Sequence, residues 1–479
     1  MKHSAWAAAA AASVWIPITG AAAAPQAEHI ARIEARLEPV LLVRGRPSIA
    51  HTLAEEMQAH RVASVSVAVA DHGRIIWAKA YGLADVAGNR PATTGTLYQA
   101  GSISKPVAAS GALRLVQAGR LALDAPVNAQ LTSWQIPAND FTKDHPVTLR
   151  DLLTHTGGLT VHGFPGYAAG TPVPTVVQVL EGQAPANTPP VVVEHQPGSS
   201  WNYSGGGLTI AQLMMTDVTH QPFPDLMREQ VFTRLGMSDS TYEEPLPQNR
   251  AGDAATGYLR SGTPVEGRFH TYPEMAAAGL WTTPSDLAKW AIGLEDAYNG
   301  VSARLMTRAS AKAMLTPGLG KWGLGVEVGG SGETLHFNHN GDDAGFNASL
   351  IGWPSGGRAI VVMTNSDDGL AIAAEITQAV AREYGWRGLE PRVIDAVALS
   401  PQQLNQVAGS YGHGLVVIAT QGAQLRLVYG GVPVDLIPLG SDAFVADPAG
   451  ANIPVKIGRG PDGAITSLAA QGLVIPRDP

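Results

Sequence analysis

The chain has 479 residues, no cysteine and a formal net charge of −8 at pH 7. A chain of this length buries a large core and accommodates two or three domains. The lack of cysteine excludes disulfides and cysteine-ligated metal sites, and the acidic balance argues against a nucleic-acid partner. Histidines are frequent, but no His-Glu-x-x-His motif indicates a zincin-type site. We therefore expect no resident metal or cofactor.

Residues 1–24 are typical of a cleaved export signal. Lys2 and His3 supply a positive start, residues 5–18 are apolar, and residues 21–24 are small, as a cleavage site requires. The alternative is an uncleaved anchor, but the apolar run is short for a bilayer span and no later run is long enough. We expect a periplasmic or secreted bacterial protein with no stable membrane span after cleavage.

The first part of the mature chain predicts a helical segment followed by a β-hairpin. Residues 30–59 are typical of one or two amphipathic helices. Residues 62–69 and 75–80 then read as two strands across a turn at residues 71–73. A loop leads from this hairpin to Ser102.

Ser102 and Lys105 form the only Ser-x-x-Lys sequence of the chain. The apolar run that follows predicts a helix beginning here and ending near Gly119, with Pro106 in its first turn. Residues three apart share a helix face, so Lys105 is expected beside the Ser102 hydroxyl. A helix N-terminus favours a developing alkoxide, and a neutral lysine can take the proton. The alternative is a simple helix cap beside a solvated lysine.

The middle of the chain carries further candidates. His155 ends a predicted helix and is interpreted as a buried histidine that bonds a loop beneath the site, rather than as a catalytic base. Residues 160–200 are rich in proline, glycine and valine and predict a lid or a substrate-lining insertion. Tyr203 follows at a glycine-rich turn, either as an acid–base group or as a packing ring.

The later part predicts an antiparallel sheet and then a second domain. Residues 347–353 and 358–364 read as strands, and the helix at residues 371–384 is expected to cover them. Residues 389–402 read as a linker, and residues 403–479 as a small barrel or sandwich without chemistry of its own. Its strands are predicted at residues 415–420, 424–429, 434–438, 443–446, 455–458 and 464–469.

Three motifs occur in a fixed order: Ser-x-x-Lys at Ser102, Tyr-Ser at Tyr203 and His-x-Gly at His339. This order resembles the serine β-lactamase/penicillin-binding superfamily. The chain is most similar to the class C β-lactamase-like branch, which includes DD-peptidases, D-aminopeptidases and family VIII esterases. The resemblance covers roughly residues 45–385, and further matching stretches lie at residues 152–156, 197–198, 235–241 and 279–281.

The resemblance implies a fold for each part of the chain. It implies an α+β fold for residues 25–388, with an antiparallel sheet flanked by helices and a mostly helical subdomain. It also implies a lipocalin-like C-terminal domain.

The resemblance also implies roles for the motif residues. Ser102 is implied as the acylating nucleophile, and Lys105 and Tyr203 as the proton-handling pair. His339 stands at the third motif, where the family usually has lysine, and is implied as a catalytic residue.

The substrate-binding positions depart from the family. The implied oxyanion hole uses the backbone N–H of Ser102 and one after Gly341, most directly that of Asp342. Gly205 stands where the second motif usually has an Asn that meets a substrate amide. Asp342 and Asp343 add negative charge beside the third motif, which does not suit substrates whose carboxylate needs a cationic clamp.

These residues predict a serine hydrolase that acts through an acyl-enzyme on small esters or amides, most similar to a carboxylesterase. The alternatives are a D-amino-acid peptidase, DD-carboxypeptidase or β-lactamase, with peptidoglycan peptides as candidate substrates. A further alternative is a catalytically weak wall-binding module that kept the fold. An apolar surface for an acyl chain is expected from loop residues Val161, Phe164, Pro165, Tyr167, Val173, Val176 and Val177.

Overall fold

The computed structural model describes residues 23–429, 432–446, 453–470 and 473–479. Residues 1–22 of the predicted export signal lie outside the described residues, so the signal stays a prediction. The described chain begins with a helix at Ala23.

A seven-stranded sheet, antiparallel throughout, forms the centre of the larger part of the chain. The strands up to residue 394 are β1 (Leu41–Val43), β2 (Ser64–Asp71), β3 (Arg74–Asp85), β4 (Arg90–Pro91), β5 (Tyr98–Gln99), β6 (Trp281–Thr282), β7 (Glu327–Gly329), β8 (His336–Asp343), β9 (Phe346–Trp353), β10 (Arg358–Thr364) and β11 (Arg392–Ile394). The order in the central sheet is β4-β3-β2-β10-β9-β8-β7. The sheet predicted from residues 347–364 is confirmed.

Helices cover both faces of this sheet. They are α1 (Ala23–Glu34), α2 (Leu53–Ala59), α3 (Ser104–Gln117), α4 (Leu149–Thr154), α5 (Val176–Glu181), α6 (Gly205–Thr219), α7 (Phe223–Met227), α8 (Thr233–Leu235), α9 (Met275–Ala278), α10 (Pro284–Asn299), α11 (Arg308–Met314), α12 (Gly369–Tyr384) and α13 (Pro401–Val407). Helix α12 packs on β9 and β10 from one face of the sheet, and α1 packs against α12. Helix α10 packs on the other face of the sheet. The other helices around α3 and α6 form the helical subdomain.

Both faces of the central strands are buried, which explains their nearly continuous apolar sequence. Successive side chains of a strand point to opposite faces. Val65, Val67 and Val69 of β2 therefore join the core beneath α12, whereas Ala68 and Ala70 join the core shared with the helical subdomain. Strand β2 begins at Ser64 rather than at the predicted residue 62.

The helical prediction for residues 30–59 is wrong in its middle. Residues 35–52 are not helical, because Leu41–Val43 forms a strand that pairs in parallel with Arg392–Ile394. The second strand of this pair lies in the predicted linker at residues 389–402, and α13 begins at Pro401.

The C-terminal part is an eight-stranded antiparallel barrel with strands in chain order. Its strands are β12 (Gly409–Tyr411), β13 (Val416–Gln421), β14 (Gln424–Tyr429), β15 (Val432–Pro438), β16 (Ala443–Ala446), β17 (Ile453–Arg459), β18 (Ile465–Ala470) and β19 (Leu473–Pro476). A bridge between Tyr411 and Arg477 joins the first strand to the last. The six predicted strands are confirmed, but β12 and β19 were not predicted, since they are short and lack clear alternation.

Candidate active site

Ser102 and Lys105 are brought together as the sequence predicts. Ser102 lies in a single 3-10 turn, Gly101–Ile103, and α3 starts directly after it. Lys105 Nζ donates to Ser102 Oγ at 2.8 Å and to the carbonyl oxygen of Ala277 at 2.8 Å. The α-helix thus begins two residues later than predicted, but the tighter turn still directs both side chains to one face. Only 2% of Lys105 is exposed.

The turn that carries the serine lies directly against β8. Gly101 has a φ of +51°, which favours glycine, and a Cβ there would collide with the backbone nitrogen of Asp342. A Cβ at Gly341 would in turn collide with the carbonyl of Ala100. Asp343 accepts a hydrogen bond from the Gly101 N–H at 3.1 Å. The backbone positions predicted for the oxyanion hole therefore lie next to the serine.

Carboxyl groups beside this turn are mostly buried. Burial raises the pKa of Asp343 well above its usual range, with Asp342 as the next cause. Burial also raises the pKa of Glu244 strongly and that of Glu274 to about 7. Burial thus favours the neutral form of Asp343, so the negative charge expected beside the third motif rests mainly on Asp342.

Tyr203 faces Lys105 across the site. The Lys105 Nζ lies 5.0 Å from the centroid of the Tyr203 ring, and no hydrogen bond joins the Tyr203 hydroxyl to Lys105 or Ser102 in this structure. His155 supports the ring from behind, at a centroid distance of 4.3 Å. Its Nδ1 accepts the Ser204 N–H at 3.1 Å, which confirms the interpretation of His155 as a buried histidine bonding a loop.

His339 occupies the third-motif position without supplying a cation. Its ring is buried, and burial together with the nearby Lys105 charge lowers its pKa to about 3. The Nδ1–H donates to the carbonyl oxygen of Asn340 at 2.6 Å, so Nε2 carries the free lone pair. Within the described residues, neither His339 Nε2 nor the indole N–H of Trp322 has a hydrogen-bond partner. The two rings meet edge to face at 5.4 Å.

Sequence reasoning missed the aromatic wall of the site. Trp201 and Trp322 lie 5.6 Å apart and both contact the Tyr203 ring, at centroid distances of 6.3 and 5.7 Å. Trp322 is more than a hundred residues from Tyr203 in sequence, and no motif connects them. The one signal in the sequence is that Trp201 stands two residues before Tyr203.

Gly205 begins α6, and Phe164 covers it. The Ser204 hydroxyl caps this helix by accepting the Gly207 N–H at 3.0 Å. A Cβ on Gly205 would lie 2.9 Å from Phe164 Cε2 and 3.2 Å from the carbonyl oxygen of His162. The aromatic ring therefore fills the space into which the family's Asn side chain would project.

The loop at residues 160–200 is only partly available to a substrate. The prediction of an acyl-binding surface is wrong for Val161 and Tyr167, which are buried against the core. Tyr167 is held there by pairing with Thr271. Phe164 is half-buried over Gly205, and Val173 is exposed.

The described residues form neither a metal site nor a membrane-spanning helix. Across residues 23–429 and the described parts of the barrel, no three His, Asp or Glu side chains are grouped so as to hold a metal ion. No helix in the same residues is both long and apolar enough to cross a bilayer.

Comparisons with known proteins agree with this architecture. The Beta-lactamase family matches residues 49–384. Esterase EstB of Burkholderia gladioli is 31% identical over 206 residues, which span 41% of this chain and 51% of that protein. A Beta-lactamase of Pseudomonas fluorescens is 27% identical over 242 residues, 50% of this chain and 62% of that protein. The chain thus matches between half and two thirds of the length of these relatives.

Solved structures share the fold over most of the chain. The crystal structure of SurE has a TM-score of 0.58 at 22% identity and covers 89% of this chain and 97% of its own. The octameric penicillin-binding protein homologue from Pyrococcus abyssi has a TM-score of 0.58 at 19% identity, with 89% and 98% coverage. A family match across most of the chain, on this fold, shows that the chain belongs to the Beta-lactamase family.

Proposed function

We propose that the protein hydrolyses small esters through an acyl-enzyme on Ser102, as a carboxylesterase does. The observation that carries this is the 2.8 Å contact between Lys105 Nζ and Ser102 Oγ, in a site without an amide-binding Asn. Such a pair is a nucleophile with its base in hydrogen-bond reach. The finer assignment to esters rests on Gly205 and on the neutral His339.

In the proposed acylation, the Ser102 oxygen attacks the ester carbonyl while its proton passes to the neutral amine of Lys105. The carbonyl oxygen becomes an oxyanion, which the backbone N–H groups of Ser102 and Asp342 stabilise; one such donor is worth about 3 kcal/mol. The carbon–oxygen bond to the alcohol then breaks, and the alcohol leaves with a proton delivered through Lys105 and Tyr203.

Deacylation repeats these steps with water as the nucleophile. Water gives a proton to the Lys105 and Tyr203 pair and attacks the acyl carbon, and Ser102 recovers its proton as the acid is released. Tyr203 lies on the open side of Lys105, 5.0 Å from its Nζ to the ring centroid. A modest closure on substrate binding would bring its hydroxyl into the hydrogen-bonded chain.

Ester substrates suit this site better than carboxylate-bearing amides. His339 is neutral because its pKa is about 3, so it offers no cationic clamp at the third motif. Phe164 closes the space where an Asn would bind a substrate amide. Neutral esters make neither demand on the site, and an alkoxide leaving group needs less protonation than an amine.

Hydrolysis of D-amino-acid peptides is the second candidate. SurE, whose structure was also solved with D-Leu, shares this fold over 89% of the chain, with a TM-score of 0.56 and 23% identity. The likeness supports the candidate only at the level of the fold. We further propose that the enzyme is exported and acts in the periplasm or outside the cell, on the basis of residues 1–24.

The test combines an activity probe with a substrate panel. A fluorophosphonate probe should label the wild type and not Ser102→Ala, because only an activated serine reacts. Ser110→Ala, a buried serine in the same helix, serves as the control and should label normally. The panel compares a short-chain p-nitrophenyl ester, a chromogenic cephalosporin and a D-Ala-D-Ala peptide. The hydrolase assignment would be refuted if the probe labelled Ser102→Ala or failed to label the wild type. Faster cleavage of the peptide than of the ester would favour the second candidate.

A further inference from the structure

The C-terminal barrel encloses a cavity of about 420 Å³. Its walls are apolar side chains that point inward from successive strands, among them Val416, Leu427, Val434, Val455 and Leu468. An eight-stranded barrel is just wide enough to be filled by its own side chains or to hold one small ligand. The volume lies within the range of small-molecule sites.

The cavity occupies only part of the barrel interior. Leu404 and Val407 of α13 pack in the barrel core together with Ile418 and Phe444, and none of these four lines the cavity. Side chains as small as Ala446 and Ala470 do line it. An apolar cavity of this size gains free energy when an apolar molecule fills it.

The open end faces the sheet domain through an apolar rim and an acidic patch. Leu415, Tyr429 and Leu473 line the cavity at this end and are 50%, 56% and 63% exposed. A rim of exposed apolar side chains around a cavity marks a binding site rather than a packing defect.

The acidic patch consists of Asp342, Asp367 and Asp368, with one arginine beside them. Arg260 pairs with the Asp368 carboxylate and donates to the carbonyl oxygen of Asp367 at 3.0 Å. Within the described residues no ion pair reaches Asp342 or Asp367, although the Arg260 charge favours the ionised form of both. Asn347 donates to Asp342 at 2.8 Å, and the Gly345 N–H donates to Asp367. The mouth is thus complementary to a positive or N–H-donating group.

Asp342 lies between this mouth and the active site. Its backbone lies against Gly101, one residue from Ser102, whereas its side chain lines the mouth of the cavity. Neighbouring side chains of a strand point to opposite faces, so the Asp342 side chain points away from the face of β8 that carries His339 and Asp343. The cavity is therefore a site apart from the serine.

We propose that the barrel cavity holds the apolar chain of an amphiphilic ligand, whose ammonium or amide N–H group lies against Asp342 and Asp367. Occupation of the cavity does not depend on the proposed esterase function.

Binding is tested first, without catalysis. Titration calorimetry with decylammonium, below its micellar concentration, should show one site in the wild type. Ala470→Phe fills the cavity and should raise the Kd at least about tenfold. Val417→Phe makes a comparable change on the outer surface of the barrel, where this valine is 39% exposed, and should leave the Kd unchanged. Equal binding by the wild type and Ala470→Phe, or no binding, would overturn the proposal.

The role of charge is tested separately. Asp367→Asn should weaken decylammonium binding but not decanol binding, whereas Asp435→Asn on the outer barrel should change neither; equal weakening of decanol binding would overturn the role of charge. Decylammonium binding without any ester hydrolysis would refute the esterase function and leave the cavity assignment standing.

Discussion

Introducing the family's asparagine at Gly205 tests the proposal that this site favours esters. In Gly205→Asn, the new Cβ lies 2.9 Å from Phe164 Cε2 and 3.2 Å from the carbonyl oxygen of His162. The Phe164 ring can move, whereas the His162 backbone is fixed more tightly. The ring must therefore shift to make room for the asparagine side chain. We expect Gly205→Asn alone to lose both stability and ester turnover.

The size of these effects follows from the contacts. Overpacking of this kind costs about 1–3 kcal/mol, which is large against the total stability of a domain. Phe164→Ala removes the obstructing ring, so the double variant should recover most of that loss. It should also gain cephalosporin turnover, because a substrate amide left unpaired costs about 1–3 kcal/mol. An increase in kcat/KM of at least about tenfold corresponds to 1.4 kcal/mol of transition-state binding.

The assay is a double-mutant cycle on two substrates. The kcat/KM values for a short-chain p-nitrophenyl ester and a chromogenic cephalosporin are measured for the wild type, both single variants and the double variant, with urea unfolding alongside. The wild type should prefer the ester at least about tenfold, and Phe164→Ala alone should not improve cephalosporin turnover. Cephalosporin turnover by the wild type at a kcat/KM equal to that of the ester would refute the reasoning, as would additive effects of the two substitutions.

Three further predictions concern the same site. Lys105→Arg should acylate nearly as slowly as Lys105→Ala in stopped-flow assays, because arginine does not deprotonate; near-normal acylation would contradict the role of base. Gly101→Ala should lower kcat at least about a hundredfold, because its Cβ displaces the serine turn from β8. Gly119→Ala is the control: Gly119 also has a positive φ but lies in open space, so this variant should lose only about 1–2 kcal/mol of stability to backbone strain. Equal kcat values for the two variants would refute this prediction. Burial raises the pKa of Glu274 from 4.5 to about 7 in the folded protein. The protonated carboxyl therefore stabilises the fold relative to the ionised one, and this stabilisation is lost as the pH rises from 4.5 to 7. Urea unfolding at pH 8 should therefore show Glu274→Gln to be more stable than the wild type by about 3 kcal/mol, and a difference that does not depend on pH would contradict the assignment.

The parts of the site that sequence could predict depend on local geometry. Ser102 and Lys105 are three residues apart, and any helical turn brings such side chains together, whether it is α-helical or 3-10. His155 was interpreted correctly because a histidine at a helix end commonly bonds an adjoining loop. Strand β10 is predicted correctly because residues 359–363 are uninterruptedly apolar.

The parts that sequence could not predict depend on long-range packing. Phe164 meets Gly205 only because the loop after α4 folds back on the start of α6, through hydrogen bonds from Gly205 and Gly206 to the carbonyls of His162 and Val161. Trp322 reaches the same site from a short turn before β7. Neither contact has a spacing that a single sequence reveals, since nothing local fixes it.

The charge of the site shows the same division between sequence and structure. The family resemblance implies that Asp342 and Asp343 add negative charge beside the third motif, where His339 stands in place of the usual lysine. Burial then acts in opposite directions on the two kinds of group: it lowers the pKa of His339 to about 3 and raises that of Asp343, so both favour their neutral forms. Lys105 lowers the pKa of His339 further, because a second positive charge beside the amine is unfavourable. Asp342, with a pKa raised only to about 6, remains ionisable at neutral pH. Asp342 therefore places an ionisable carboxyl group one strand away from the serine turn, which supports the proposed preference for substrates without a carboxylate.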